Sequence, residues 1–99
     1  MKSKTPKSPD GLLPESMGYW RKIHAELSFT AAEAGIVRML IRNYDIALRC
    51  LADIQRDGTT VDSCNGAKKK NPSLDLYRVS ISAYLQACRL LGLKEEMKG

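Results

Sequence analysis

Four arginines, Arg38, Arg42, Arg49 and Arg56, recur along a proline-free stretch, AAEAGIVRMLIRNYDIALRCLADIQR (31–56). At 100° per residue they fall within an arc of roughly 40° on a helix. Guanidinium groups in one line make a track for phosphates or carboxylates, because each presents a planar fork of donors. Asp45 and Asp53 lie near them, so the same stripe also suits a solvated face held by local ion pairs. A second cluster, Lys68, Lys69 and Lys70, sits in CNGAKKKNP (64–72). Each lysine can neutralise a phosphate and add a salt-dependent term that ignores base sequence. In a strand the three alternate between faces, and lysine also protects a sheet edge against pairing with other chains. Lys2, Lys4 and Lys7 form a third cluster at the N-terminus. Such a tail serves either phosphate contact or solubility.

Groups for covalent or acid–base chemistry are sparse. The one histidine, His24, lies four residues after Trp20, where a packing or surface role is commoner than catalysis. No Cys-His, Ser-His-Asp or metal-ligand spacing accompanies it. Glu95 and Glu96 are adjacent in a tail, poor placement for a general acid and base. The glycines build neither familiar phosphate-cradling loop. Cys50, Cys64 and Cys88 are odd in number and far apart, which fits unpaired thiols in a reducing cytosol better than a disulfide frame or zinc site. The tyrosines and Trp20 lie at core spacing and read as packing anchors. These patterns argue against an enzyme and imply no cofactor and no metal.

The chain has 99 residues, enough for one small domain. So small a domain gains from oligomerisation. The net charge of +5, from 16 Lys+Arg against 11 Asp+Glu, is compatible with a nucleic-acid partner. The N-terminus has no apolar signal-peptide region, and no apolar run is long enough to span a bilayer. A soluble, intracellular protein is expected.

The elements that must position these residues follow in order. Residues 1–13, MKSKTPKSPDGLL, read mostly as a disordered basic tail. Pro14 suits a first helical position. PESMGYWRKIHAEL follows, with Met17, Trp20, Ile23, His24 and Leu27 at three- and four-residue spacing, an amphipathic helix. Ser28 or Thr30 can cap a second helix over 31–56, and Thr30 with Glu33 makes a Thr-x-x-Glu capping box. Its other side is apolar over more than half the circumference: Ile36, Val37, Met39, Leu40, Ile41, Tyr44, Leu48, Leu51 and Ile54. Such a helix is central in its domain or shared with another subunit. Gly58 stops it. Thr59, Thr60 and Val61 favour extended structure and Asn65-Gly66 a tight turn, so a small β-hairpin covers about 59–70. Asn71 then caps, and Pro72 starts, a third helix over 72–91. It carries two apolar stripes. Leu74, Tyr77, Ile81, Tyr84, Leu85, Cys88 and Leu91 make one; Leu76, Val79, Ala83, Ala87 and Leu90 make the other. Gly92 ends it, and LKEEMKG is a polar tail.

Three pieces, "LPESMGYWRKIHAEL", "SCNGAKKKNPSLDLYR" and "RLLGL", stand in this order. Over roughly residues 13–93 the chain resembles the small terminase subunit of tailed bacteriophages, the family with an Asn-Gly…Lys-Asn-Pro signature. The resemblance implies a non-catalytic, ring-like homo-oligomer in the cytoplasm of a bacterial host. It would recognise double-stranded viral DNA and recruit and regulate the large terminase subunit, which holds the ATPase and nuclease. The chain departs from the family after Leu93. Lys94, Glu95 and Glu96 stand where relatives usually carry Thr-Pro and a basic segment. No helix-turn-helix module precedes residue 14.

The expected fold is mainly α: a three-helix domain (14–93) with a small β-hairpin between helices 2 and 3, assembling as an oligomer without a membrane role. Candidate DNA contacts are Lys2, Lys4, Lys7, Arg38, Arg42, Arg49, Arg56, Lys68, Lys69 and Lys70. The candidate subunit interface is Leu76, Val79, Ala83, Ala87 and Leu90. The alternative is a small helical oligomeric adaptor or regulator of other proteins, with no DNA role. A small nuclease or toxin ranks third.

Overall fold

The computed structural model describes residues 5–62 and 66–93. Three helices and one two-stranded hairpin follow each other as α1 (Pro14–Glu26), α2 (Ala31–Asp57), β1 (Thr60–Asp62), β2 (Lys68–Lys70) and α3 (Pro72–Leu91). This is the mainly helical fold with an inserted hairpin that the sequence predicts.

Each boundary has a local cause. Pro14 opens α1 in its first turn, where its missing N–H costs nothing. The capping box forms: the Glu33 amide donates to Thr30 Oγ1 at 3.1 Å, and the Thr30 amide donates to Glu33 Oε1 at 2.9 Å. Gly92 ends α3 at φ 69°, ψ 28°, a left-handed conformation that favours glycine. The Leu93 amide then reaches back to the Cys88 carbonyl at 2.9 Å, and the Leu93 side chain packs against the core. The closing Leu-Gly-Leu is therefore a helix stop with its own hydrophobic latch.

α3 packs along α2, and α1 packs on α2 and reaches α3 through Tyr19 and Tyr84. Val37, Leu40 and Ile41 of α2 meet Tyr84 and Cys88 of α3 in the core, with Tyr19, Trp20 and Ile23 of α1. Full burial of one such aliphatic side chain stabilises the fold by about 1.5–3 kcal/mol. Tyr19, Tyr44 and Tyr84 form a ring cluster, and the Tyr19 and Tyr84 hydroxyls lie 2.9 Å apart. That bond satisfies two polar tips that would otherwise be buried at a cost.

The molecule is elongated, 61 × 23 × 18 Å. Its radius of gyration is 16.0 Å, against about 13 Å for a compact chain of this length. The cause is α2, whose 27 residues span about 40 Å. A long helix hairpin has much surface and little interior.

Residues 5–13, assigned by sequence to a tail, lie against the helices. Pro9 is buried and Leu12 touches the core. Trp20 Nε1 donates to the Pro6 carbonyl at 2.8 Å, and Arg49 donates to the Gly11 carbonyl at 2.6 Å. The Leu13 amide donates to Asp45 at 2.8 Å.

Candidate nucleic-acid interface

The α2 stripe does not present four equivalent cations. Arg49 Nε donates to Asp45 Oδ2 at 2.9 Å while its Nη2 holds the Gly11 carbonyl. Arg56 is engaged by Asp53 at 2.8 Å and by Asp57 at 3.0 Å, and its hydrogen bond holds the Asp57 carboxyl below the usual carboxylate range. Arg38 and Arg42 are exposed, and neither has an ion-pair partner among the described residues. The stripe thus divides into a structural half toward the C-terminus and an uncommitted half toward the N-terminus.

Asp45 explains the division. It is 6% exposed and accepts from the Leu13 amide, from Ser16 Oγ at 2.7 Å and from Arg49. Burial pushes its carboxyl up, but the Leu13, Arg49 and Ser16 hydrogen bonds together outweigh that and hold it below the ordinary aspartate value. Sequence spacing placed Asp45 beside Arg49 but could not show that it also clamps the start of α1 through residues 29 and 32 positions away.

The hairpin lysines divide in the same way. β1 and β2 are antiparallel with Asp62 opposite Lys68, Val61 opposite Lys69 and Thr60 opposite Lys70. Lys68 pairs with Asp62 at 2.6 Å, and Lys70 reaches Asp75 in the first turn of α3 at 2.7 Å. The Lys70 hydrogen bond lowers the Asp75 carboxyl. Lys69 points to the other face, as strand alternation requires, and has no ion-pair partner among the described residues. Lys7 is exposed. Lys2 and Lys4, with Cys64 and Asn65 of the turn and the tail from residue 94, lie outside the described residues. Arg38, Arg42, Lys69 and Lys7 are therefore the candidate cations without an ion pair among the described residues.

On α3 the second apolar stripe is largely uncovered. Leu76, Val79 and Leu90 are 50%, 66% and 62% exposed, and Ala83 is half-buried. Ala87 departs from this group: it is buried in the subunit's own core beside Cys88. It sits at the edge of the stripe, where the wheel already turns toward α2. Met39, on the wide apolar face of α2, is another exposed large apolar side chain, at 60%. A single neighbouring helix covers less of α2 than the apolar arc spans.

Among the described residues no group of three His, Cys, Asp or Glu is placed to hold a metal. No described helix is long and apolar enough to cross a membrane.

The molecule is a basic, elongated helix hairpin whose candidate cations are only in part ion-paired among the described residues. The family model for the phage terminase, small subunit, matches residues 19–97, and the chain belongs to that family. Comparison with curated proteins and with solved structures gives no match.

Proposed function

We propose that this chain is a non-catalytic, oligomeric adaptor that recognises double-stranded viral DNA and brings the large terminase ATPase and nuclease to it. The observation that carries this reading is the family match across 19–97. It agrees with the charge of +5 and with exposed cations that have no ion-pair partner among the described residues. Arg38, Arg42, Lys69 and Lys7 contact phosphates without reading bases. Arg49 and Arg56 chiefly hold α2 and its neighbours in shape. The exposed Leu76, Val79 and Leu90 stripe, with Ala83 behind it, packs against another subunit, since a face of this kind is unstable in water. The complex works in the cytoplasm of the bacterial host.

The first test is solution mass by size exclusion with light scattering, followed by duplex-DNA binding at several salt concentrations. A single large oligomer with salt-dependent affinity supports the adaptor. A monomer that ignores DNA overturns it and favours the second reading, a protein-binding regulator. The internal pairing of Arg49, Arg56, Lys68 and Lys70 is the observation in favour of that second reading.

A further inference from the structure

A pocket of about 220 Å³ opens where the N-terminal segment crosses the end of α1 and the start of α2. Trp20, Leu27, Phe29 and Ala34 supply apolar walls, and Pro6 closes one edge. Arg38 stands at the site, and no carboxylate among the described residues lines it. The Arg38 guanidinium has no ion-pair partner among the described residues. An occupant that used both features would bring an apolar group and a negative charge together.

Size and shape narrow the choice. Pockets for cofactors and drug-sized molecules run from about 300 Å³ upward, so this one takes a side chain. A stacked nucleobase needs an open aromatic face. Trp20 is 3% exposed, and His24 covers it with ring centroids 4.3 Å apart. His24 is in turn fixed, its Nδ1 donating to the Trp20 carbonyl at 2.9 Å, and it meets Phe29 edge-on. The Trp20 face is therefore not an open platform. The edge of the pocket already shows how it handles peptide: the indole N–H of Trp20 takes the main-chain carbonyl of Pro6. Indole donors over a proline-bearing extended segment are a general device of peptide recognition.

We propose that this pocket receives an extended acidic peptide segment of a partner protein. One apolar side chain enters between Leu27, Phe29 and Ala34, and a neighbouring carboxylate pairs with Arg38. Because Arg38 also begins the arginine stripe, the acidic segment and phosphate compete for the same guanidinium. The inference stands whether or not the chain binds DNA.

The test uses the full chain, immobilised and panned against a random linear peptide display library. The best enriched peptide is then synthesised and titrated against the fluorescence of Trp20, the sole tryptophan. Two variants report on the two halves of the site. Ala34→Phe fills the pocket from an exposed helix position, and Arg38→Glu reverses its charge; circular dichroism verifies that both keep their helical content. Enriched sequences are expected to place an apolar residue within a few positions of Asp or Glu, and each variant is expected to weaken the peptide at least tenfold. No enrichment above the Ala34→Phe control overturns the proposal. So does enrichment of peptides without a carboxylate, or affinity unchanged by either variant. A Trp20 response to single-stranded oligonucleotide that Ala34→Phe abolishes also overturns it, in favour of a nucleic-acid site.

Discussion

Asn71 Nδ2 donates to the Gly58 carbonyl at 2.8 Å while its Oδ1 accepts from the Ser73 amide at 3.1 Å. One buried side chain thus joins the end of α2 to the start of α3, across the base of the hairpin. Its own amide donates to the Thr59 carbonyl at 2.9 Å. Pro72 then occupies the first helical turn. The Lys-Asn-Pro run is a splice: Lys70 steadies Asp75, Asn71 closes the base and Pro72 starts the helix. Asn71→Ala should lower stability by about 1–2 kcal/mol, because it removes both the cap and the bond to Gly58. Asn71→Asp keeps the cap acceptor but turns an oxygen toward the Gly58 carbonyl, so it should recover only part. Urea midpoints for the three proteins measure this, and equal midpoints would remove Asn71 from the splice.

The helices and the hairpin were legible because their signals are local. Thr30 and Glu33 are three residues apart, Asn71-Pro72 are adjacent, and Gly58 and Gly92 stop helices by their own conformational freedom. Which arginines lack an ion pair among the described residues was not legible. That depends on Gly11, Asp45 and Asp57 meeting particular guanidinium groups, and the Arg49 contact to Gly11 spans 38 positions. The Trp20 pocket was hidden for the same reason, since its walls come from the N-terminal segment, α1, the 27–30 turn and α2. Ala87, a candidate for the subunit interface by spacing, lies buried in the chain's own core, because a wheel gives direction without saying how far the neighbouring helix reaches.

Asp45 predicts an acid-sensitive clamp. Its folded-state carboxyl is held below the ordinary value of 3.8, so the clamp contributes stability above the unfolded value and loses it as pH falls through the folded one. Asp45→Asn should cost about 1–3 kcal/mol at pH 7, because Ser16, the Leu13 amide and Arg49 lose a charged acceptor. The gap between wild type and variant should hold down to about pH 5 and narrow progressively below pH 4. Urea unfolding from pH 7 to pH 3 measures it. A gap independent of pH would assign the cost to packing.

The divided stripe predicts unequal effects on DNA. Arg38→Gln with Arg42→Gln should weaken duplex binding and reduce the salt slope by about two, one for each phosphate left without its guanidinium. Lys69→Gln should reduce it by about one. Arg49→Gln and Lys68→Gln should change the slope little, since those cations are already paired; Arg49→Gln should instead loosen residues 11–13. Fluorescence anisotropy on a labelled duplex, over about 50 to 200 mM salt, separates the two groups. A slope lowered by about one in Arg49→Gln or Lys68→Gln as well would mean that the internal ion pairs open when DNA arrives.

One apolar stripe of α3 joins exposed and buried positions. Val79 is 66% exposed and Ala87 is 4% exposed, although both belong to the same apolar stripe by spacing. If the exposed stripe is the proposed subunit contact, Val79→Asp and Leu90→Asp should reduce the mass seen in light scattering and leave helical content unchanged, because both side chains are exposed in the single chain. Ala87→Phe should do the reverse. Extra volume in a packed core costs about 1–3 kcal/mol, so the melting temperature should fall while any surviving oligomer keeps its subunit number. If Val79→Asp leaves the mass unchanged, the exposed stripe is not a subunit contact. Met39, exposed on α2, is then the next apolar position to test with the same measurement.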